Sequence, residues 1–120
     1  MNKRKVGAWW EQQAENYLIN QGVKIVARNF RNRRGEIDLI GYDGKYLVFF
    51  EVKYRSTTAM GSPLEAVDFH KQKQICMVAD YYRYSNHLGQ NIWMRYDVIG
   101  VQGNEVTWIK NAFPHIYIRG

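Results

Sequence analysis

Two short segments in the middle of the chain carry ionisable residues at alternate positions. Glu36 and Asp38 alternate with apolar residues in the first segment, and Glu51 and Lys53 do so in the second. Residues 43–44 between them are Asp-Gly, and such a pair flanked by apolar runs is the strongest short-range signal for a β-hairpin. The sequence therefore predicts two antiparallel neighbouring strands whose acids lie close together.

The predicted turn also sets which residues face each other. With residues 43 and 44 at its centre, Glu36 lies opposite Glu51, and Asp38 lies opposite Phe49 and diagonal to Glu51. One face of the hairpin should then carry Glu36, Asp38, Glu51 and Lys53. The other face should belong to the core and comprise Ile37, Leu39, Val48, Phe50 and Val52.

This arrangement of acids calls for a compensating charge. Like charges across strands repel each other, and carboxylates beside apolar neighbours lose hydration. Mg²⁺ or Mn²⁺ would compensate, because Mg²⁺ binds one or two carboxylates together with water and phosphate oxygens. An exposed salt bridge on a solvated hairpin face is the alternative, and these residues alone leave both open.

The order of the residues resembles a known nuclease core. Asp38 followed by Glu51-Val52-Lys53 is similar to the Asp…Glu-x-Lys core of the PD-(D/E)XK nuclease superfamily, whose members cut nucleic-acid phosphodiesters with Mg²⁺. A longer set resembles the YraN family of predicted bacterial endonucleases, which is similar to Holliday-junction resolvases. That set comprises Gly7, Glu11, Ala14, Tyr17, Leu18, Gly22, residues 29–31, 35–40 and 50–55, Gly61, Ala66, Val67, Lys71 and residues 95–98.

Two residues depart from the family pattern. Trp10 stands where the family usually has glycine, and Tyr54 stands where it usually has threonine. Neither belongs to the acidic set, so we expect them to affect local packing more than chemistry.

The resemblance implies a role for each site residue. Asp38 and Glu51 would coordinate the metal together with the main-chain carbonyl of Val52, and Lys53 would orient the attacking water. Two further acids, Glu11 and Glu36, would be auxiliary. The alternatives are an ordinary acid near the start of a helix for Glu11 and a surface acid for Glu36.

Basic residues around the hairpin are candidates for phosphate contacts. Four arginines precede the hairpin, with a solvated basic loop as the alternative to phosphate contact. The resemblance implies that Arg55 and Lys71 also flank the site. The full set is Arg28, Arg31, Arg33, Arg34, Arg55 and Lys71. We interpret Asp97, next to Arg95 in a strand, as part of a structural ion pair rather than a third metal ligand. Most aromatic residues should belong to the core, and base stacking is the less favoured interpretation. The aromatic candidates for stacking are Trp9, Trp10, Trp93, Trp108, Tyr81, Tyr82 and Tyr84.

The composition restricts the class of protein. The chain of 120 residues, with 46% hydrophobic residues, is long enough for one core without disulfides, and its single cysteine excludes a disulfide framework. A net charge of +6 favours a polyanionic partner. The sequence shows no signal peptide or stretch of transmembrane length, so we expect a cytoplasmic protein without a membrane partner.

The hydrophobic patterns predict an α/β fold. We expect one domain over residues 1–120, with a mixed β-sheet flanked by helices, and the resemblance implies a restriction-endonuclease-like core. The predicted helices cover 6–21 and a long segment from Pro63 to about residue 85, with Ser62 as N-cap and Glu65 completing a capping box. The predicted strands cover 23–30, 35–43, 45–54, 92–101 and 106–109.

These observations together predict a metal-dependent endonuclease that hydrolyses DNA phosphodiester bonds, on branched or structured DNA. The likeness to resolvases also implies a homodimer, because paired cuts need two sites. Two alternatives remain open at this point. One is a non-catalytic nucleic-acid-binding module with a nuclease fold, and the other is a small protein-interaction adaptor.

Overall fold

The part of the chain that the structure describes forms two helices and five strands, and the strands make one mixed sheet. The computed structural model describes residues 3–55 and 67–117. Its elements are α1 (Lys3–Asn20), β1 (Lys24–Asn32), β2 (Gly35–Asp43), β3 (Tyr46–Tyr54), α2 (Phe69–Ser85), β4 (Met94–Gln102) and β5 (Glu105–Phe113). Neither helix is long and apolar enough to cross a bilayer.

The strands lie side by side in chain order. β1, β2 and β3 are antiparallel neighbours, β3 and β4 are parallel, and β4 and β5 are antiparallel. The parallel pair is possible because α2 provides the crossover connection that parallel strands require. The predicted α/β class with a mixed sheet is confirmed, and β5 extends beyond the predicted segment 106–109.

Each face of the sheet is covered by one helix. The α1-side cluster contains Ala14 and Leu18 of α1 packed on Leu39, Val48 and Phe50, among others. The α2-side cluster contains buried residues of α2 packed on the opposite side chains of the strands, including Ile37, Ile40, Leu47, Phe49, Ile75, Val78 and Ala79. Phe49, which the predicted register placed opposite Asp38, is thus buried by α2 together with Ile40.

The hairpin between β2 and β3 has a register different from the predicted one. Asp43 pairs with Tyr46, so the turn consists of Gly44 and Lys45, and Gly44 has a left-handed φ of +61°. Glycine adopts this conformation without steric cost. The shift is two residues, an even number, so it exchanges partners without moving a side chain to the opposite face.

The predicted alternation of β2 is wrong at one point. Ile37 packs in the α2-side cluster and Leu39 packs in the α1-side cluster, although they were expected on one face. β2 pairs with β3 only between Leu39 and Asp43, whereas its first residues pair with β1 alone. The strand thus loses one neighbour at Asp38, where the alternation breaks.

The start of α2 also differs from the prediction. The helix begins at Phe69, and its N-cap is Asp68, whose carboxylate accepts a hydrogen bond of 2.9 Å from the backbone N of Lys71. Val67, predicted to be helical, precedes the cap. The predicted capping box at residues 62–65 lies outside the described residues.

Candidate functional site

The sheet opens between β2 and β3, and the predicted acids lie at this opening. The β2–β3 pairing ends at Leu39 and Phe50, beyond which Ile37 pairs with β1 and Glu51 pairs with β4. Asp38 Oδ2 accepts a hydrogen bond of 2.8 Å from the backbone N of Val52. The Asp38 carboxylate therefore takes the place that a strand carbonyl would occupy in a continued ladder.

Four carboxyl groups from three elements influence one another electrostatically around this opening, in Glu11, Glu36, Asp38 and Glu51. Burial raises the pKa of Asp38 to about 8, with repulsion from Glu51 as the next cause, while the hydrogen bond from Val52 opposes the shift. The pKa of Glu11 is raised by burial and then by Glu36 and Glu51. The sequence thus brings together the pair predicted as ligands and both auxiliary acids.

Two lysines partly compensate the charge of Glu51. Its Oε1 lies 3.3 Å from Lys53 Nζ and 3.9 Å from Lys71 Nζ. Burial raises the pKa of Glu51, and the charges of Lys71 and Lys53 oppose that effect. The Lys53–Glu51 salt bridge considered as the alternative is present, but Glu51 is only 5% exposed, so the pair does not lie on a solvated face.

Asn29 joins two of the acids and was not identified as a site residue from the sequence. In the amide orientation that satisfies both carboxylates, its side-chain N donates to Glu11 Oε2 and Glu36 Oε1, each at 3.1 Å. Asn29 has a φ of +50°, a conformation that asparagine tolerates better than most residues. Asn29 belongs to the segment 29–31 that resembles the family pattern, and this was the signal in the sequence that could have identified it as a site residue.

Asp38 and Glu51 could hold a divalent cation. Mg²⁺ needs only one or two protein carboxylates, and a cation would relieve the repulsion that raises the pKa of Asp38. Within residues 3–55 and 67–117, no three His, Cys, Asp or Glu side chains converge as a preformed metal site. The donor set therefore fits a hydrated Mg²⁺ or Mn²⁺ ion better than an ion held entirely by protein.

The predicted phosphate-binding residues fall into different environments. Arg28 donates two hydrogen bonds to Glu15 of α1, one of them at 3.1 Å. Its guanidinium is thus bound to α1 and not to the four acids at the opening. Arg31 lies 3.3 Å from Glu36 at the edge of the opening. Arg33 and Arg34 are exposed in the β1–β2 turn and line a cavity of about 520 Å³ with α2.

Arg55 follows β3 directly and lies close to the sheet. Its backbone N donates to the carbonyl of Val101 at 2.9 Å, and its half-buried side chain approaches the carbonyl of Tyr54 at 3.4 Å. Lys71 contributes its Nζ to the surroundings of Glu51, as described above. The roles of these six basic residues in binding nucleic acid stay predictions.

Asp97 lies in a separate polar network, as predicted. Its buried carboxylate accepts hydrogen bonds from Arg95 at 3.0 Å, from Trp108 Nε1 at 2.8 Å and from the backbone N of Asn111 at 2.9 Å. Arg95 also binds Asp43 at 2.6 Å. The interpretation of Asp97 as a structural ion-pair residue is confirmed.

The two residues that depart from the family pattern are in contact with each other. The rings of Trp10 and Tyr54 are stacked, with centroids 4.2 Å apart. A large ring at one position is thus matched by a large ring at the other. The expected effect of Trp10 and Tyr54 on local packing is therefore the stacking of one ring on the other.

Comparisons with known proteins agree with the extent of the resemblance. The profile of a family described as "Uncharacterised protein family UPF0102" matches residues 10–101. A "UPF0102 protein" of Lachnoclostridium phytofermentans is 45% identical over 113 residues, covering 94% of this chain and 96% of that one. Similar proteins of the same name occur in Alkaliphilus oremlandii, at 46% identity over 94% of this chain and 100% of the relative, and in Carboxydothermus hydrogenoformans, at 36% over 97% and 98%.

Proposed function

The chain belongs to the UPF0102 family, and on that premise we propose that it is a divalent-metal-dependent endonuclease that hydrolyses DNA phosphodiester bonds. The observation that carries the proposal is the meeting of Asp38, Glu51 and Lys53 where β2 and β3 separate. Burial raises the pKa values of Asp38 and Glu51, and repulsion from Glu51 raises the pKa of Asp38 further, whereas Lys71 and Lys53 oppose the shift at Glu51. Perturbed carboxyl groups beside a lysine are typical of catalytic sites.

Each residue at the opening has a distinct proposed role. Asp38 and Glu51 hold the metal ion, which when bound polarises phosphate oxygens and lowers the pKa of a coordinated water. Lys53, 3.3 Å from Glu51, positions the attacking water and offsets the charge that develops on the phosphate. Glu11 and Glu36 are auxiliary and are held together by Asn29.

The charge distribution supports a nucleic-acid substrate. The net charge is +6, and Arg31, Arg33 and Arg34 lie at the end of the β1–β2 hairpin that borders the acids. Cations at this position would bind phosphates on either side of the cut, which would otherwise be repelled by the carboxylates. The likeness to resolvases supports branched DNA as substrate and a homodimer as the active form.

One observation favours a second candidate, a non-catalytic nucleic-acid-binding module. Lys53 and Lys71 already form ion pairs with Glu51, so the protein itself compensates part of the negative charge. In that case the opening would be a structural charge cluster, and DNA would bind to the basic surface alone.

A cleavage screen distinguishes the two candidates. Branched, single-stranded and duplex DNA would each be incubated with Mg²⁺ or Mn²⁺ and either the parent protein or the Lys53→Met variant. Lys53→Met keeps the aliphatic stem and removes the charge, so cleavage should fall by about 10²- to 10³-fold while DNA affinity changes little. Lys110→Met is the matched control, because Lys110 pairs with Asp43 at the other end of the sheet.

Two results would contradict the nuclease proposal. If the Lys53→Met variant cuts DNA at the parental rate, the role proposed for Lys53 in the mechanism is wrong. If no substrate is cut with either metal although DNA binds, the binding module is the correct function.

A further inference from the structure

Three aromatic rings form a group where the first half of α1 meets the end of β3. The rings of Trp10 and Tyr54 are nearly parallel, at 17°, and Trp9 meets Trp10 edge to face with centroids 4.4 Å apart. Trp10 packs against the α1-side cluster, whereas Trp9 and Tyr54 remain 50% and 40% exposed. This aromatic group therefore has a ring fixed by the core and two rings open to a ligand.

The aromatic group borders the acidic opening along both chain segments. Trp10 directly precedes Glu11, and Tyr54 directly follows Lys53. Because side chains alternate along a strand, Tyr54 faces away from Lys53 and toward α1. A nucleotide on the aromatic group would thus lie beside the bond that is cut rather than at it.

A basic residue next to the aromatic group matches the charge of a nucleic-acid backbone. Arg55 follows Tyr54, and its half-buried guanidinium lies beside the Tyr54 carbonyl, with Nη1 3.4 Å from the carbonyl oxygen. Exposed rings flanked by cations are the arrangement with which proteins bind single strands, because bases stack on the rings while the cations contact phosphates.

Taking the proposed nuclease function as a premise, we infer that Trp9, Trp10 and Tyr54 bind an unpaired base, so that the substrate has a single-stranded segment next to the cut. One base stacked on an aromatic side chain contributes about 5- to 150-fold in affinity. In a continuous duplex that base would first have to leave its own stack and pair, at a comparable cost. The gain is therefore retained only where the base is already unpaired.

Binding without metal tests this inference separately from catalysis. Fluorescence anisotropy in EDTA would measure affinity for oligothymidylate and oligouridylate of about twelve residues and for a hairpin duplex of similar length. Trp9→Ala and Tyr54→Ala should each lower single-strand affinity by about 5-fold or more and leave duplex affinity within about twofold. The two oligonucleotides show whether DNA or RNA is preferred.

Trp93→Ala is the matched control. Trp93 is 57% exposed and lies near the start of β3, with Lys45 over its ring at 4.1 Å. It is thus another exposed tryptophan beside a cation, but far along the strand from Tyr54. Its replacement should change neither affinity, and thermal unfolding would show that every variant is folded.

Several outcomes would overturn the inference. Unchanged single-strand affinity in both variants, or equal losses for single strand and duplex, would exclude base stacking here. A dimer that becomes monomeric in Trp9→Ala with unchanged affinity would make the aromatic group a subunit contact. If the single-strand preference depends on Trp9 and Tyr54 but no substrate is cut, the binding inference holds and the proposed nuclease function fails.

Discussion

Two groups of charged residues beside β3 are in opposite electrostatic states. In the network around Arg95 of β4, the Asp97 carboxylate accepts hydrogen bonds from three residues, and Arg95 binds Asp43 as well. At the opening between β2 and β3, Asp38 accepts one backbone hydrogen bond and faces further acids. The first set of acids is compensated by the protein, and the second is only partly so.

This difference supports a structural role for the first group and the proposed functional role for the second. In the compensated network, hydrogen bonds from Arg95 lower the pKa of Asp43, which means that folding favours the charged carboxylate. At the opening of the sheet, burial raises the pKa of Asp38, so folding disfavours its charge. A cost of this kind, retained at the opening and avoided in the network, supports the proposed external cation.

The largest effect is expected from breaking the compensated network. Asp97→Ala leaves the buried side of Arg95 without its partner and should lower the free energy of unfolding by about 3–5 kcal/mol. Urea unfolding at neutral pH measures this, and Mn²⁺ affinity should not change. Asp80→Ala is the control, because the Asp80 carboxylate is half exposed, so its pairs with Arg83 at 3.3 Å and His115 at 3.4 Å should contribute less than about 1 kcal/mol. An equal loss in both variants would contradict the comparison.

A smaller effect of opposite sign is expected at the opening. Because the folded-state pKa of Asp38 is about 8, against 3.8 as the ordinary value, the folded protein binds more protons and its stability falls as pH rises through that interval. Asp38→Asn should flatten this slope and stabilise by about 1–2 kcal/mol at pH 8, since the half-buried carboxylate keeps part of its hydration. It should also weaken Mn²⁺ binding at least about tenfold.

Urea unfolding from pH 2 to 8 and calorimetry with Mn²⁺ test both parts. Asp43→Asn serves as the control of opposite sign. The lowered pKa of Asp43 stabilises the fold above its unfolded-state pKa, and that stabilisation is lost as pH falls through the folded-state pKa. Undiminished Mn²⁺ affinity in Asp38→Asn would place the metal elsewhere.

The smallest effect is expected in the salt dependence of DNA affinity, which shows whether DNA binds beside the opening or beside the compensated network. Replacing Arg31, Arg33 and Arg34 with alanine should reduce the dependence of log affinity on log salt by about 0.9 for each phosphate of duplex DNA that the variant no longer neutralises. Replacing Lys45 and Lys110, which lie near the compensated network, should leave the slope unchanged. Equal changes in the two variants would show that the basic surface has no preferred end.

The acidic site was predictable because its parts are local in sequence. The Asp-Gly turn identified the hairpin, and an error of two residues in its register did not move Glu51 to the opposite face. The resemblance added Glu11, which comes from another element and which hairpin geometry alone does not bring to the acids. The break of alternation at Asp38 was not predictable, because it depends on β2 losing β3 as a neighbour while it stays paired with β1.

Other features depend on contacts between distant residues. Nothing local in the sequence pairs Arg28 with Glu15, since both are ordinary surface-type residues on separate elements. The start of α2 was misplaced because Ser62, Pro63 and Glu65 form a good capping signal, whereas Asp68 caps the helix that is observed. The stacking of Trp10 on Tyr54 was likewise not predictable from the sequence, because the two residues lie on separate elements that only the fold brings together.

The crossover between β3 and β4 implies an order of folding. Tight turns join β1, β2 and β3, whereas the parallel pairing of β3 with β4 must close a loop that includes all of α2. Long-range closure is the slower process, so the meander that holds Asp38 and Glu51 forms before α2 brings Lys71 close. The repulsion between these acids therefore acts first on the folding nucleus, and protonating them accelerates folding as well as stabilising the finished protein.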